Sequence, residues 1–261
     1  MSPFTSAFYR PLGDGVFAST AHTAGPWTPD AQHLGPPSAL LVRALEQISA
    51  DRPSALARVT IDILGPVPLT ELTVRASMVR PGRSVELLAA ELTAGGRVVA
   101  TAAAWRMARS DSAEVVGGQP DPLPPVDGLG ELVRPEGWSP GYIDAMEWRA
   151  VVGGLDTPGP ATAWMRQRVA LVDGERPSAL QRLFTVADSG NGLSNRLRPD
   201  RWWFINTDLT VHVQREPVGD WIGVDANTII GPNGIGTAVT SLHDQTGQVA
   251  IGAQALLVRP R

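Results

Sequence analysis

Cysteine is absent from the 261-residue chain, and its absence excludes disulfides, thiol nucleophiles and every thiolate metal site together. Histidine is scarce: the four residues at 22, 33, 212 and 243 show no HExxH or Cys/His spacing, so no metal site is expected. Charge is low at 18%, with 22 basic against 26 acidic side chains and the basic ones scattered, which gives no nucleic-acid or anionic-membrane surface. A polyphosphate ligand stays open, because it needs only a local patch. The amino terminus lacks the basic start and apolar run of a secretory signal, and no apolar stretch approaches the roughly 20 residues of a membrane span. The cytoplasm is the expected compartment. No GxSxG elbow and no P-loop is present. The glycines of GPNGIG at 231–236 sit between two strand-like segments and precede no helix, which reads as a hairpin or bulge rather than a dinucleotide loop.

What is present is a core-forming composition. Hydrophobic residues make up 43% of the chain, enough for one large or two medium folded domains. Residues 110–139 are rich in proline and glycine and show no strand alternation, so they read as a linker or surface crossover between residues 1–109 and 140–261. Alternating apolar runs predict strands over 17–23, 55–65, 72–80, 84–94 and 97–107 before the linker. After it, the same signal predicts strands over 142–152, 162–172, 202–214, 220–230, 236–244 and 248–258. Each half has one amphipathic helix, over 37–49 and 177–189, opened by Pro37 and Pro177.

The halves correspond in order. PSALL at 37–41 answers PSALQ at 177–181, the strand at Val59 answers that at Leu209, and Gly96 answers Gly247, at separations of 140, 150 and 151 residues. A duplicated helix with antiparallel strands is an α+β arrangement, and joining the two sheets edge to edge would let each copy cover an open strand of the other.

Three polar positions depart from this pattern. Asp188 stands near the carboxy-terminal end of an apolar helix, where the helix dipole disfavours a carboxylate. It either bonds its own backbone in the Asp-Ser-Gly-Asn-Gly turn or serves as a general base that orients water. In WWFINTDLTVHVQ, period two places Asn206, Asp208, Thr210 and His212 on one face, which is either solvent-facing or turned into a groove between the halves. Gln254 lies in a small or apolar row where the first half, with Gly96 aligned to Gly247, carries Ala103. It is either a lone amide satisfied by backbone or a polar function kept in one copy. His33 and Gly35, at the start of the first helix, form a candidate ligand wall, with helix N–H groups able to meet a carbonyl oxygen or phosphate, and His33 reads equally as a capping or packing residue. The eight tryptophans (27, 105, 138, 148, 164, 202, 203 and 221) read mainly as packing residues.

Taken together, QHLGPPSALLVRALE, LFTVADSGNG, NTDLTVHVQREP and QVAIGAQALLVR resemble the double-hotdog acyl-CoA thioesterase II-like family over residues 10–259. The resemblance implies two tandem copies, each a long helix wrapped by a curled antiparallel sheet. It implies an acyl-CoA or related thioester substrate, no cofactor, no membrane span and no nucleic-acid partner, and it leaves a homo-oligomer open. Residue by residue it implies a catalytic Asp188, Asn206 at a position where the family has a threonine, and Gln254; His33, Gly35 and Asp208 are the candidate substrate-binding residues beside them. The implied reaction is attack of an activated water on the thioester carbonyl. A noncatalytic acyl-CoA or lipid-binding protein is the alternative, and Arg196, Arg198 or Arg215 are candidates for CoA phosphates.

Overall fold

A computed structural model describes residues 4, 6–26, 28, 30–132, 134–136, 138 and 140–261; Trp27 lies outside the described residues. The amino-terminal part forms β1 (Ala7–Gly13), β2 (Val16–Ser19), helix α1 (Gly35–Glu46), β3 (Ser54–Ile63), β4 (Glu71–Arg80), β5 (Val85–Ala94) and β6 (Arg97–Ala108). The carboxy-terminal part begins with a helical turn α2 (Tyr142–Ala145), then β7 (Met146–Gly154), β8 (Thr157–Gln167) and β9 (Ala170–Val172). It continues through α3 (Ala179–Ala187), a short α4 (Gly190–Leu193), β10 (Trp202–Asn206), β11 (Asp208–Val213), β12 (Ile222–Ile230), β13 (Ile235–Asp244) and β14 (Gly247–Pro260).

Among the described residues the strands form one sheet, ordered β7-β8-β12-β13-β14-β11-β3-β6-β5-β4-β2-β1-β9, with β10 on β14. The seam is the antiparallel β11–β3 pair. A strand of one part thereby closes what would be an exposed edge of the other, and the small β9 returns to pair with β1. Helices α1 and α3 run antiparallel along the buried side of this sheet. Leu40, Leu41 and Leu45 of α1 and Leu180, Leu183 and Phe184 of α3 are almost fully buried, each contributing roughly 1.5–3 kcal/mol of burial energy. Ser178 caps α3, its Oγ accepting from Gln181 N–H at 3.1 Å, while Glu46 at the far end of α1 accepts from Ser178 Oγ at 2.8 Å. At the opposite end the helices approach more closely still. A β-carbon added to Gly35 would stand 2.2 Å from the carbonyl oxygen of Thr185, so only glycine allows this contact.

The internal correspondence is visible in the pairing. The hairpin of β5 and β6 shifts register between Leu92 and Thr93, and that of β13 and β14 shifts between Leu242 and His243, 150 residues later. This offset makes Ala104, rather than the Ala103 expected from sequence, the counterpart of Gln254. The difference comes from the turns, which align Arg97 with Gly247.

The strand predicted over 202–214 is interrupted. Asn206 pairs with Leu256 and Thr210 with Ala253, so Thr207 and Asp208 together oppose Ala255 in a β-bulge. The bulge reverses the face of every side chain beyond it. Asn206 therefore shares the inward face with Leu209 and Val211, while Asp208, Thr210 and His212 occupy the other face, which corrects the single polar row expected from period two. Segment 142–145 is helical rather than extended, and 21–23 is a 3-10 turn beyond β2. Residues 231–236 join β12 to β13 as a hairpin. Part of the proline-rich segment is packed: Pro124 accepts from Trp164 Nε1 at 2.8 Å, and Leu132 N–H bonds Trp148 on β7. Among the described residues no helix is long and apolar enough to cross a membrane.

Candidate active site

Helix α3 ends at Ala187, and Asp188 follows as its carboxy-terminal cap, 4% exposed and tucked beneath the sheet. Its cost at the negative end of the helix is offset by donors from three other elements. Asn206 Nδ2, turned inward by the bulge, donates to Asp188 Oδ1 at 2.8 Å. Gln254 Nε2, from the inward row of β14, donates to the same oxygen at 3.0 Å and to the Asp188 carbonyl at 3.2 Å. The backbone N–H of Leu34, just before α1, also bonds the carboxyl. Oδ2 lies 3.3 Å from His33 Nδ1.

Burial outweighs these donors and pushes the Asp188 carboxyl up to about 7. Burial also pulls the His33 imidazole down to about 3, so the Asp188–His33 contact is not an ion pair at neutral pH. The His33 ring stacks on Tyr142 with centroids 3.7 Å apart and an interplanar angle of 7°. Tyr142 is fixed in turn, its hydroxyl 2.8 Å from the Thr185 carbonyl and 2.9 Å from Ser189 Oγ.

The structure thus brings together Asp188, Asn206, Gln254 and His33, four residues from α3's end, β10, β14 and the entry to α1. It does not bring in Asp208. That carboxylate accepts from Ala255 N–H at 2.7 Å and stabilises the bulge that aims Asn206. Gly35 contributes close helix packing rather than a free donor. Its N–H points to His33 Nδ1 at 3.0 Å, and Pro36 and Pro37 have no N–H, so the start of α1 lacks the open row of donors expected there. The candidate phosphate-binding arginines are held by their own neighbours: Arg215 by Asp244 at 2.5 Å, Arg198 by Asp200 at 2.6 Å, and Arg196 by Asn227 at 3.0 Å.

Sequence reasoning missed Asn191. Its backbone N–H donates to Gln254 Oε1 at 3.2 Å, fixing which way that amide points, and its Nδ2 donates to the Phe204 carbonyl at 3.3 Å. The signal was the Gly-Asn-Gly run. A β-carbon on Gly190 would lie 2.4 Å from Thr240 Cγ2 and 3.2 Å from Gln254 Oε1, so glycine is what lets α4 reach β13 and β14.

Beside the cluster is a narrow recess of about 30 Å³, large enough for one or two waters. It is lined by His33, Tyr142, Ser189, Asn191 and Gly192, with Trp138, Trp148, Leu155 and Leu193 on its apolar side. The arrangement offers a buried carboxyl that titrates near neutrality, two amides that hold one of its oxygens, and sheltered space alongside. Such a group can remove a proton from a water that reaches it.

Residues 23–107 match the family model of the acyl-CoA thioesterase N-terminal domain, and residues 120–258 match that of the acyl-CoA thioesterase C-terminal domain. No curated protein sequence matches the chain. Among solved structures, a hot dog fold protein of unknown function from Alicyclobacillus acidocaldarius is similar with a TM-score of 0.75 and 18% identity over 95% of both chains. The tesB protein of Mycobacterium avium subsp. paratuberculosis is similar with a TM-score of 0.69 and 14% identity, over 97% of this chain and 96% of that one. The acyl-CoA thioesterase II TesB2 of Mycobacterium marinum gives 0.65 and 14%, over 97% of this chain and 95% of that one. These likenesses establish a hotdog-type fold.

Proposed function

Because the chain belongs to the acyl-CoA thioesterase family, its two domain models together spanning most of residues 23–258, we propose that it hydrolyses an acyl-CoA thioester to the free acid and CoA. The observation that carries this reading is the convergence of Asn206 and Gln254 on a single oxygen of the buried Asp188 carboxyl. In this reading residues 1–109 and 140–261 are two tandem hotdog units joined by 110–139, and only the second keeps polar chemistry.

The proposed reaction is a single displacement by water. Asp188, in its carboxylate form, takes a proton from water as the water oxygen attacks the thioester carbonyl carbon. The tetrahedral intermediate then collapses, the carbon–sulfur bond breaks, and the departing thiolate takes the proton that Asp188 accepted, which regenerates the carboxylate. Asn206 and Gln254 hold Oδ1 and leave Oδ2 to act as base. Asn206 supplies from its amide the donor that a threonine hydroxyl would supply, so its place in the cluster is compatible with hydrolysis. The recess beside His33, of about 30 Å³, holds the attacking water rather than the acyl chain.

A noncatalytic acyl-CoA-binding protein is the second reading, favoured by one observation: Asp188, Asn206 and Gln254 satisfy one another. Incubation with short, medium, long and aromatic acyl-CoAs separates the two. Equal release of thiol and acid, lost in Asp188→Asn, supports the hydrolase; binding of a nonhydrolysable analogue without thiol release from any thioester supports the binder.

A further inference from the structure

The first half has open space where the second half has its polar cluster. The helix offset makes Ile48 the counterpart of Asp188, and the strand offset makes Leu56 the counterpart of Asn206. Ile48 and Leu56, with Leu45 and Leu180, form the apolar side of a cavity of about 350 Å³, against about 30 Å³ for the recess beside Asp188. A space of that size takes a small molecule rather than one or two waters.

The rest of the lining is acidic. Glu46, the last residue of α1, shares the Ser178 hydroxyl between its two oxygens at 2.8 and 2.9 Å, and its Oε2 accepts from Gln181 Nε2 at 2.7 Å. Both donors are neutral, and among the described residues no basic side chain stands within ion-pair distance of Glu46. Its cationic neighbours are engaged elsewhere, Arg43 with Glu175 at 2.7 Å and Arg106 with Glu86 at 2.7 Å. Arg106 also spends Nη1 and Nη2 on the carbonyls of Ile48 and Ser49, at 2.6 and 2.9 Å, so it fixes the cavity rim and offers nothing to an anion. Glu216 brings a second carboxylate to the same space, its partner Arg109 being about half exposed. Burial pushes the Glu46 carboxyl above its usual value, and Glu216 adds to the rise. A cation in the cavity would offset both effects, and the carboxy-terminal end of α1 favours one there as well.

We propose that this cavity is a second ligand site that takes a small organic cation, its primary ammonium against Glu46 and Glu216 and a short aliphatic body against Leu45, Ile48, Leu56 and Leu180. A metal ion fits the lining poorly. Two carboxylates and a leucine-rich wall do not supply the six or more oxygens that a hard cation takes, and the described residues hold no group of three or more acidic or histidine side chains placed to bind one. An ammonium needs fewer partners, and the aliphatic wall rewards an attached hydrocarbon. The site makes no use of Asp188, so it stands apart from the hydrolase reading.

The test titrates the whole protein with n-butylammonium chloride and, at matched ionic strength, with the neutral isostere butan-1-ol, following methyl signals by NMR. Butylammonium is expected to shift Leu45, Ile48 and Leu56 saturably with a millimolar dissociation constant, and butanol to bind about tenfold more weakly. Glu46→Gln keeps an acceptor for Ser178 and is expected to abolish the preference for the ammonium. Should that variant fail to fold, the wild-type comparison stands alone and Glu216→Gln, at a half-exposed position, supplies the second variant. It is expected to weaken butylammonium about threefold and leave butanol unchanged. Equal binding of amine and alcohol overturns the proposal, as do shifts confined to residues beside Asp188 or the absence of saturable shifts. Thiol release is measured separately, so binding without hydrolysis refutes the enzyme reading alone, and hydrolysis without binding refutes the second site alone.

Discussion

Thr60 and Thr210 stand opposite each other across the β3–β11 seam, their hydroxyl oxygens 3.2 Å apart. The 150-residue offset of the two hairpins makes each the other's counterpart, so the seam runs through a local twofold relation. Following that relation outward, Leu56 answers Asn206 and Ala104 answers Gln254. The same break in register that aims Asn206 recurs between Leu56 and Arg58. The helix offset of 140 puts Ile48 where the second half has Asp188. Asp188, Asn206 and Gln254 of the second half therefore have the apolar Ile48, Leu56 and Ala104 at the equivalent positions of the first.

Asn206→Leu copies the first-half residue into the second. It removes one of the two donors to Asp188 Oδ1, together with the 3.4 Å bond from the same amide to the Asp208 carbonyl, and thiol release is expected to fall at least about tenfold, in line with the loss of one hydrogen bond to a charged group. Asn206→Thr restores a donor at that position and is expected to retain more activity than Asn206→Leu. Steady-state thiol release on both folded variants checks the order.

Asp188→Asn should reveal a stability cost. Burial raises this carboxyl from 3.8 to about 7, so the folded state binds its proton more tightly than the unfolded chain. The native protein accordingly loses stability as pH rises through that interval and loses no more above it. An amide does not titrate, so the variant is expected to be more stable than the wild type by roughly 2–4 kcal/mol above neutrality and to show little advantage in acid. Denaturant unfolding at two pH values measures the difference.

The pH dependence of turnover follows from the same group. Activity is expected to rise with pH through a single ionisation near 7, as Asp188 becomes a carboxylate. A kcat/KM profile that is flat through neutrality would show that another group sets the ionisation.

Much of this arrangement was legible in the sequence, and the failures have local causes. The helices at Pro37 and Pro177, most long strands and the second-half polar residues could be read because periodicity survives wherever pairing is regular. The face of Asp208 could not, because one extra residue at Thr207 inverts the alternation and leaves no compositional mark. Ala104, not Ala103, is the counterpart of Gln254 because the two turns align by pairing rather than by their glycines. The helical turn at Tyr142–Ala145 is too short for a periodic signal, and the contact between His33 and Asp188 joins residues that only the helix packing at Gly35 brings together.

Gly35→Ala tests that packing. Its β-carbon would meet the Thr185 carbonyl oxygen at 2.2 Å, forcing α1 from α3 and moving Leu34 and His33 away from Asp188. Destabilisation of roughly 2–4 kcal/mol is expected, with activity reduced even where the protein remains folded. Thermal unfolding and thiol release on the same preparation separate the two effects.

A structure with a nonhydrolysable acyl-CoA analogue bound bears most directly on the central claim. The account requires the carbon that replaces the thioester carbonyl to sit at the recess beside His33, with a water bridging it to Asp188 Oδ2 while Asn206 and Gln254 remain on Oδ1. An analogue seated elsewhere, with Asp188 still closed off behind its amides and no water between them, would contradict it.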